Sequence, residues 1–166
     1  MRARLSRFSL QGWRGALWLW LVWVAAPAMA HAQAPEIAVV VNSAVPIDNL
    51  TTADLRRLWL GDRDFWGSGI RVMLLIRAPI ARERDAVVKA ICQMTEAQFR
   101  QHWIAKVFRA DTANGPKLVY SNEMALDQVS RTPGALAFVE TPIVSRNVKV
   151  LKIDGKLPGQ PGYGLK

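Results

Sequence analysis

The 166-residue sequence contains very little of the chemistry that staples small proteins or holds metals. It has one cysteine, Cys92, and two histidines, His31 and His102. A single thiol forms no intramolecular disulfide, so the stability of the fold must come from its apolar core. Structural metal centres are built mainly from clusters of cysteine and histidine side chains. The sequence therefore predicts no metal site of that kind.

Motifs that accompany catalysis are also absent. The sequence has no P-loop, no dinucleotide-binding fingerprint and no convergent pair of carboxylates. Gly67-Ser68-Gly69 lacks the spacing of a nucleophile elbow, and we interpret it as a turn. Cys92 and His102 are a conceivable nucleophile and base, but a core cysteine and a histidine on a helix surface are the favoured interpretation. We expect a protein that is not an enzyme and that uses no cofactor.

The N-terminal segment has the order of features found in secretory signal peptides. Four arginines precede or border an apolar run at residues 16–26, and small residues follow at 28–34. An uncleaved membrane anchor is the alternative, but a span needs about 20 apolar residues and this run is shorter. The pattern predicts a signal peptide over residues 1–32, with cleavage near 30–34. The expected product is exported to the periplasm and has no stable membrane insertion after cleavage.

Removal of this segment lowers the net charge of the protein. The net charge is one property from which we infer the kind of partner. The whole chain carries a net charge of +9, whereas cleavage after Ala32 leaves 18 basic and 13 acidic residues, a net charge of +5. No basic run with interleaved aromatic residues is available to bind and stack nucleic-acid bases. We expect no nucleic-acid partner. A moderate positive charge on an exported protein suits an anionic ligand or an anionic envelope surface.

Apolar runs alternate with helical patterns along the rest of the chain. The predicted strands occupy residues 37–41, 70–76, 118–120, 135–139 and 148–153. The predicted helices occupy residues 53–60 and 80–94, a segment opened by the capping box Thr95-Glu96-Ala97-Gln98, and a segment from 121 or 122 to the stop Thr132-Pro133-Gly134. Continuous apolar strands are typical of sheets covered on both faces. This order predicts an α/β fold with a mixed or mainly parallel sheet flanked by helices.

Two further expectations concern the third helix and the C-terminus. Phe99, Trp103 and Val107 share one helix face, with Ile104 and Phe108 beside it, and we interpret these side chains as core rather than as a binding stripe. We expect the lobe to cover residues 35–156. The Pro- and Gly-rich residues 157–166 are predicted to form a surface tail.

Three blocks of sequence resemble a known family when they are taken in order. The blocks are residues 37–41 with Asn49-Leu50-Thr51, Leu58-Trp59-Leu60-Gly61 and Trp66; residues 72–76 leading into Arg77; and Thr132-Pro133-Gly134-Ala135-Leu136-Ala137-Phe138-Val139-Glu140. They resemble the phosphate-binding proteins of bacterial ABC transporters, which have the type 2 periplasmic binding protein fold. That family is bilobed, with the ligand between the lobes. The resemblance covers the second lobe only and implies a single lobe here.

The resemblance also implies an anion site, in an altered form. It places ligand contacts at Arg77, Ala78, Ala81 and Arg82. Pro79 stands where the family has an aspartate, and residues 80–83 replace a Gly-Ser-Gly-Thr segment. Proline lacks an N–H donor, and the carboxylate at position 83 would compete with an anion for the start of the next helix. A solvated face of local ion pairs is the alternative interpretation of these arginines.

Two functions follow from these observations. The first is an exported solute-binding-type domain, related to the phosphate-binding components of ABC transporters, that binds phosphate or another oxyanion weakly and acts with a transporter. The alternative is an envelope protein-interaction module that has lost ligand binding. The altered residues after Arg77 favour the second function, and the retained arginine favours the first.

Overall fold

The computed structural model describes residues 36–112, 115–141 and 145–165. The predicted signal peptide and its cleavage site lie outside the described residues. The strands are β1 Ile37–Asn42, β2 Asn49–Leu50, β3 Met73–Arg77, β4 Lys117–Val119, β5 Ala135–Glu140, β6 Val148–Val150 and β7 Lys152–Ile153. The helices are α1 Thr52–Trp59, α2 Arg82–Asp85 with a π-helical continuation Ala86–Ile91, α3 Glu96–Phe108 and α4 Asn122–Arg131.

A mixed five-stranded sheet in the order β4-β3-β5-β1-β6 forms the centre of the fold. Strand β3 runs parallel to both β4 and β5, and β1 runs antiparallel to both β5 and β6. A separate parallel pair joins β2 to β7. The predicted α/β architecture with a mixed sheet flanked by helices is confirmed.

Both faces of the sheet are covered, which explains the continuous apolar run in β1. All six residues of β1 are buried. Because successive side chains point to opposite faces, Val39 and Val41 pack in the larger core with α1, the π-helical segment and α3, whereas Ala38 and Val40 pack against α4. The same alternation divides β5 between the two cores.

Three of the helix starts, those of α1, α3 and α4, follow capping residues that the sequence contains. The Thr51 hydroxyl accepts a hydrogen bond from the Asp54 N–H at 3.0 Å and caps α1. Thr95 and Gln98 form the complete predicted capping box of α3, and Ser121 caps α4 in the same way as Thr51 caps α1. These caps satisfy backbone donors that have no partner inside the helix.

The helix predicted over residues 80–94 is shorter and changes type. Ile80 has a φ of 80° and is 99% exposed, so the helix begins only at Arg82. Its second half is π-helical, and the Cys92 N–H donates to the carbonyl of Val87, five residues earlier. The wider turn ends in a left-handed residue, Gln93. Helical periodicity alone does not distinguish such a bulge from an α-helix.

Two of the predicted strands also differ from the observed ones. The first residues of the predicted strand 70–76 belong to a turn, where the Trp66 N–H donates to the Ile70 carbonyl and the Val72 N–H donates to the Asp64 carbonyl. The predicted strand 148–153 divides at Leu151 into β6 and β7, which belong to different sheets. A change of pairing partner within a run leaves no mark in its composition.

The C-terminal tail packs on the lobe, contrary to the predicted surface extension. Tyr163 and Leu165 are buried in the larger core, and the Tyr163 hydroxyl donates a hydrogen bond to the Ile37 carbonyl at 2.8 Å. The proline and glycine residues form turns that return the chain to β1. The composition correctly predicted turns but did not predict the two anchoring side chains.

The apolar face predicted for α3 is only partly buried. Phe99 and Trp103 lie in the core, but Ile104, Val107 and Phe108 are exposed, the last at 91%. The predicted core role of these three residues is wrong. His102, Trp103 and Lys106 of α3 contact the turn at residues 60–62. The three exposed side chains lie on other faces of the helix or nearer its C-terminal end. Across the three described stretches, no helix is both long and apolar enough to cross a membrane.

Candidate functional site

The carboxyl ends of three parallel strands meet at one edge of the sheet. Strand β3 ends at Arg77, β4 ends at Val119 and β5 ends at Glu140. In open α/β sheets this edge is where ligands bind. The turn 78–81 then leads into α2, and Ser121 leads into α4, so both helices begin close to this edge.

Arg77 carries two unsatisfied polar atoms at this edge. Its side chain is 15% exposed, and its Nε lies 3.3 Å from Oε1 of Glu83, which is 3% exposed. The contact is an ion pair, but Nε and Nη1 of Arg77 are both buried without a hydrogen-bond partner among the described residues. Leaving a buried charged donor unsatisfied costs free energy. An incoming oxygen acceptor would relieve that cost.

The neighbouring arginines are paired with carboxylates. Arg82 Nη1 lies 3.2 Å from Oε1 of Glu140. Arg84 makes a bidentate contact with Glu96, at 2.9 and 2.5 Å, and donates from Nη1 to the Arg77 carbonyl at 2.9 Å. The hydrogen bond from Arg84 is the largest cause of the lowered pKa of Glu96. These contacts are those expected of the ion-pair interpretation.

The four residues predicted to contact an anion differ in the donors they offer. The Ala78 N–H donates to the Val119 carbonyl at 3.0 Å, and the Ala81 N–H donates to the Ala78 carbonyl at 3.3 Å. Arg82 is engaged with Glu140. Of the four, Arg77 is the residue with buried side-chain donors that have no hydrogen-bond partner in the described chain. A ligand here would contact Arg77 first.

The start of α4 lies at the same edge and was not predicted as part of the site. The pKa of Glu123 is lowered, first by a hydrogen bond from its own backbone N–H, then by the Ser121 hydroxyl and by the nearby charge of Arg77. Oδ1 of Asn122 is buried without a hydrogen-bond partner in the described stretches. The cap at Ser121 was visible in the sequence, but its proximity to Arg77 depends on the parallel pairing of β3 with β4.

The surroundings of Cys92 and of His102 do not suggest catalysis. Burial raises the pKa of the Cys92 thiol to about 12, so the thiol stays protonated and is a poor nucleophile. Nε2 of His102 lies 2.9 Å from the Leu60 carbonyl. The described residues contain no group of three or more His, Cys, Asp or Glu side chains placed to hold a metal ion.

A cavity of about 580 Å³ lies away from this edge. It borders the first residues of β3 and β4, and its other walls come from the end of α1, the 63–64 turn and Trp103 of α3. None of Arg77, Arg82 and Glu83 lines it. This cavity and the unsatisfied cationic group are therefore at different places, and the chemistry favours the carboxyl edge.

Several solved structures share this fold at low sequence identity, and no protein-family model matches the chain. A protein assigned as a phosphate ABC transporter substrate-binding protein from Clostridium perfringens, solved with bound phosphate, is 17% identical with a TM-score of 0.58; the match covers 73% of this chain and 46% of that one. An ABC-type phosphate transport receptor from Vibrio cholerae is 20% identical with a TM-score of 0.58, over 75% and 49%. PstS from Borrelia burgdorferi is 12% identical with a TM-score of 0.59, over 75% and 49%.

These matches concern the fold. The chain has the architecture of part of a phosphate-type substrate-binding protein, as the sequence resemblance implied, and it spans about half the length of each of these proteins.

Proposed function

We propose that this chain is an exported solute-binding-type lobe that binds phosphate or a similar oxyanion weakly at Arg77. The observation that carries the proposal is the Arg77 guanidinium, which is largely buried at the carboxyl edge and keeps Nη1 without an acceptor in the described structure. A guanidinium presents parallel donors that match two oxygens of one anion. Ala78, Ala81 and Arg82 complete the proposed surface.

The same geometry explains why the binding should be weak. The Glu83 carboxylate already lies beside Arg77, Glu140 holds Arg82, and Glu123 lies within the field of Arg77. An entering anion competes with these carboxylates, and the partly exposed contact at Arg82 is screened by water and salt. We expect a dissociation constant of about 1 mM or weaker, corresponding to about −4 kcal/mol.

A titration of inorganic phosphate into the purified protein tests this function. Isothermal calorimetry at low and physiological salt should give weak binding that Arg77→Ala abolishes. Arg131→Ala is the matched control, since Arg131 is an exposed arginine paired with Asp127 at the far end of α4, and it should leave the binding unchanged. Phosphate binding that survives Arg77→Ala would place the site elsewhere.

Export is part of the proposal and has its own test. The arginine-rich start, the short apolar run and the following small residues support a signal peptide, and proteins of similar fold act in transport. N-terminal sequencing of protein from an envelope fraction should find His31 or Gln33 as the first residue. Recovery of intact Met1 in washed membranes would contradict cleavage and favour an anchor. A transporter partner follows only if export and anion binding both hold.

A second function is favoured by a different observation. Ile104, Val107 and Phe108 expose an apolar face on α3, on residues that the sequence pattern assigned to a core. Exposed apolar clusters commonly mark protein contacts. In this alternative the chain is an envelope interaction module without ligand binding. Phe108→Ser should then abolish a specific crosslink formed in the envelope, while phosphate titration gives no binding in either protein.

A further inference from the structure

We infer that Glu83 is a built-in occupant of the Arg77 site and sets how tightly this edge of the sheet holds an oxyanion. The inference rests on the proposed function, because it assigns a regulator to the same site. It concerns one ion pair, between the Arg77 guanidinium at the end of β3 and the Glu83 carboxylate in α2.

The burial of this pair separates it from the other arginine contacts at this edge. The Glu83 side chain is nearly inaccessible, whereas the carboxylates that meet Arg82 and Arg84 are partly open to solvent. The contact the structure gives to the Glu83 carboxylate is its approach to Arg77. A carboxylate held in this way supplies the negative charge and the oxygen atom that a bound oxyanion would supply.

The geometry of the pair is poorer than that of its neighbour. Arg84 and Glu96 form two directed hydrogen bonds, whereas Arg77 approaches Glu83 at 3.3 Å without satisfying either Nε or Nη1. Glu83 therefore neutralises Arg77 without using its donors. A free tetrahedral anion is not attached to the chain, so it can orient an oxygen toward a donor of Arg77 that Glu83 leaves unused.

Removing the carboxylate should expose the site. A buried ion pair that loses one partner leaves an uncompensated charge, which destabilises the fold. Phosphate would compensate the Arg77 charge in such a variant, and its binding would no longer displace an internal competitor. We expect the phosphate dissociation constant to fall at least about tenfold, the factor that one recovered charge-assisted hydrogen bond can provide.

Glu83→Gln tests the inference because it removes the charge and keeps the shape. Phosphate is titrated into the purified variant by calorimetry, and thermal unfolding is followed with and without phosphate. The variant should unfold at a lower temperature than wild type, regain stability as phosphate is added, and bind phosphate at least tenfold more tightly. The linked rise in unfolding temperature follows from binding to the folded state.

Two further variants distinguish this role from a structural one. Glu96→Gln removes the carboxylate partner of Arg84 and should destabilise the protein without tightening phosphate. Adding Arg77→Met to Glu83→Gln should abolish the gain in affinity. If Glu83→Gln does not fold, Glu83→Asp can replace it. This variant retracts the carboxylate by one methylene and should tighten phosphate binding by a smaller factor.

The outcomes separate this inference from the proposed function. Wild-type binding at Arg77 with no tightening in a folded Glu83→Gln protein overturns the role of Glu83 and leaves the function standing. Tight binding in the variant with no binding in wild type supports the role of Glu83 and overturns the function. Absence of binding in both proteins overturns both.

Discussion

The docking of the C-terminal tail provides a direct prediction, because one of its contacts is a hydroxyl group that a single substitution removes. The Tyr163 hydroxyl donates to the Ile37 carbonyl at 2.8 Å. The Leu151 N–H bonds to the Val39 carbonyl. Carbonyls two residues apart point to the same edge of a strand. The Tyr163 hydroxyl therefore binds a carbonyl on the edge of β1 that faces β6, outside the residues of β1 that pair with β6.

Tyr163→Phe removes this hydroxyl and keeps the ring. The Ile37 carbonyl then remains buried without its partner, and an unsatisfied buried backbone group costs about 1–3 kcal/mol. We expect the free energy of unfolding to fall by about 2 kcal/mol in urea denaturation at neutral pH. Tyr120→Phe is the matched control, because Tyr120 is 67% exposed, and its effect should be within about 0.5 kcal/mol.

The same variant should change the response to high pH. Burial, followed by the charge of Glu36, raises the pKa of Tyr163 above its usual value of 10.0. The folded state therefore favours the neutral phenol. Its contribution to stability is complete below pH 10 and is lost as the pH rises through the raised pKa. The stability difference between wild type and Tyr163→Phe should shrink above pH 10. An effect of Tyr163→Phe below about 0.5 kcal/mol at neutral pH, or equal to that of Tyr120→Phe, would refute the docking of the tail.

Three other predictions address the core. Trp103→Ala should cost about 3 kcal/mol in urea unfolding, at the low end for large aromatic deletions because Trp103 borders a cavity; a loss below about 1 kcal/mol would contradict its burial. Gly134→Ala should cost more than about 3 kcal/mol, since Gly134 has a φ of 82° and an added Cβ would lie 2.1 Å from the Arg71 carbonyl oxygen, while Gly67→Ala, with open space around it, should be nearly neutral. Cys92 is buried with its pKa raised to about 12, so alkylation followed by mass spectrometry should label it only in denaturant, and rapid labelling of the native protein would contradict its burial.

The sequence predicted those helix starts and buried strands that depend on residues close to one another in the chain. The caps at Thr51 and Thr95 and the buried strands β1 and β5 follow from side-chain chemistry and from continuous apolar runs. The π-helical turn was missed because its extra residue keeps the same composition. The docking of Tyr163 was missed because its partner lies 126 residues away, and turn-forming composition gives no information about such contacts.

The candidate site was only partly visible in the sequence. Arg77 was identified through a family resemblance, and position 83 was identified as a competitor for an anion. The sequence did not reveal that Glu83 would be buried against Arg77, because this depends on where α2 begins after the left-handed Ile80. The proximity of Glu123 was equally hidden, since it requires β3 and β4 to be adjacent and parallel.

The most direct test of the central claim is the Nε–H resonance of Arg77 during a phosphate titration. In an isotope-labelled sample, assigned by its loss in Arg77→Ala, this resonance should shift progressively and report a dissociation constant of about 1 mM or weaker. The resonance of Arg131, which is paired with Asp127 at the other end of α4, should stay in place. An Arg77 resonance that does not move while other arginines respond would contradict the claim that this edge of the sheet binds an oxyanion.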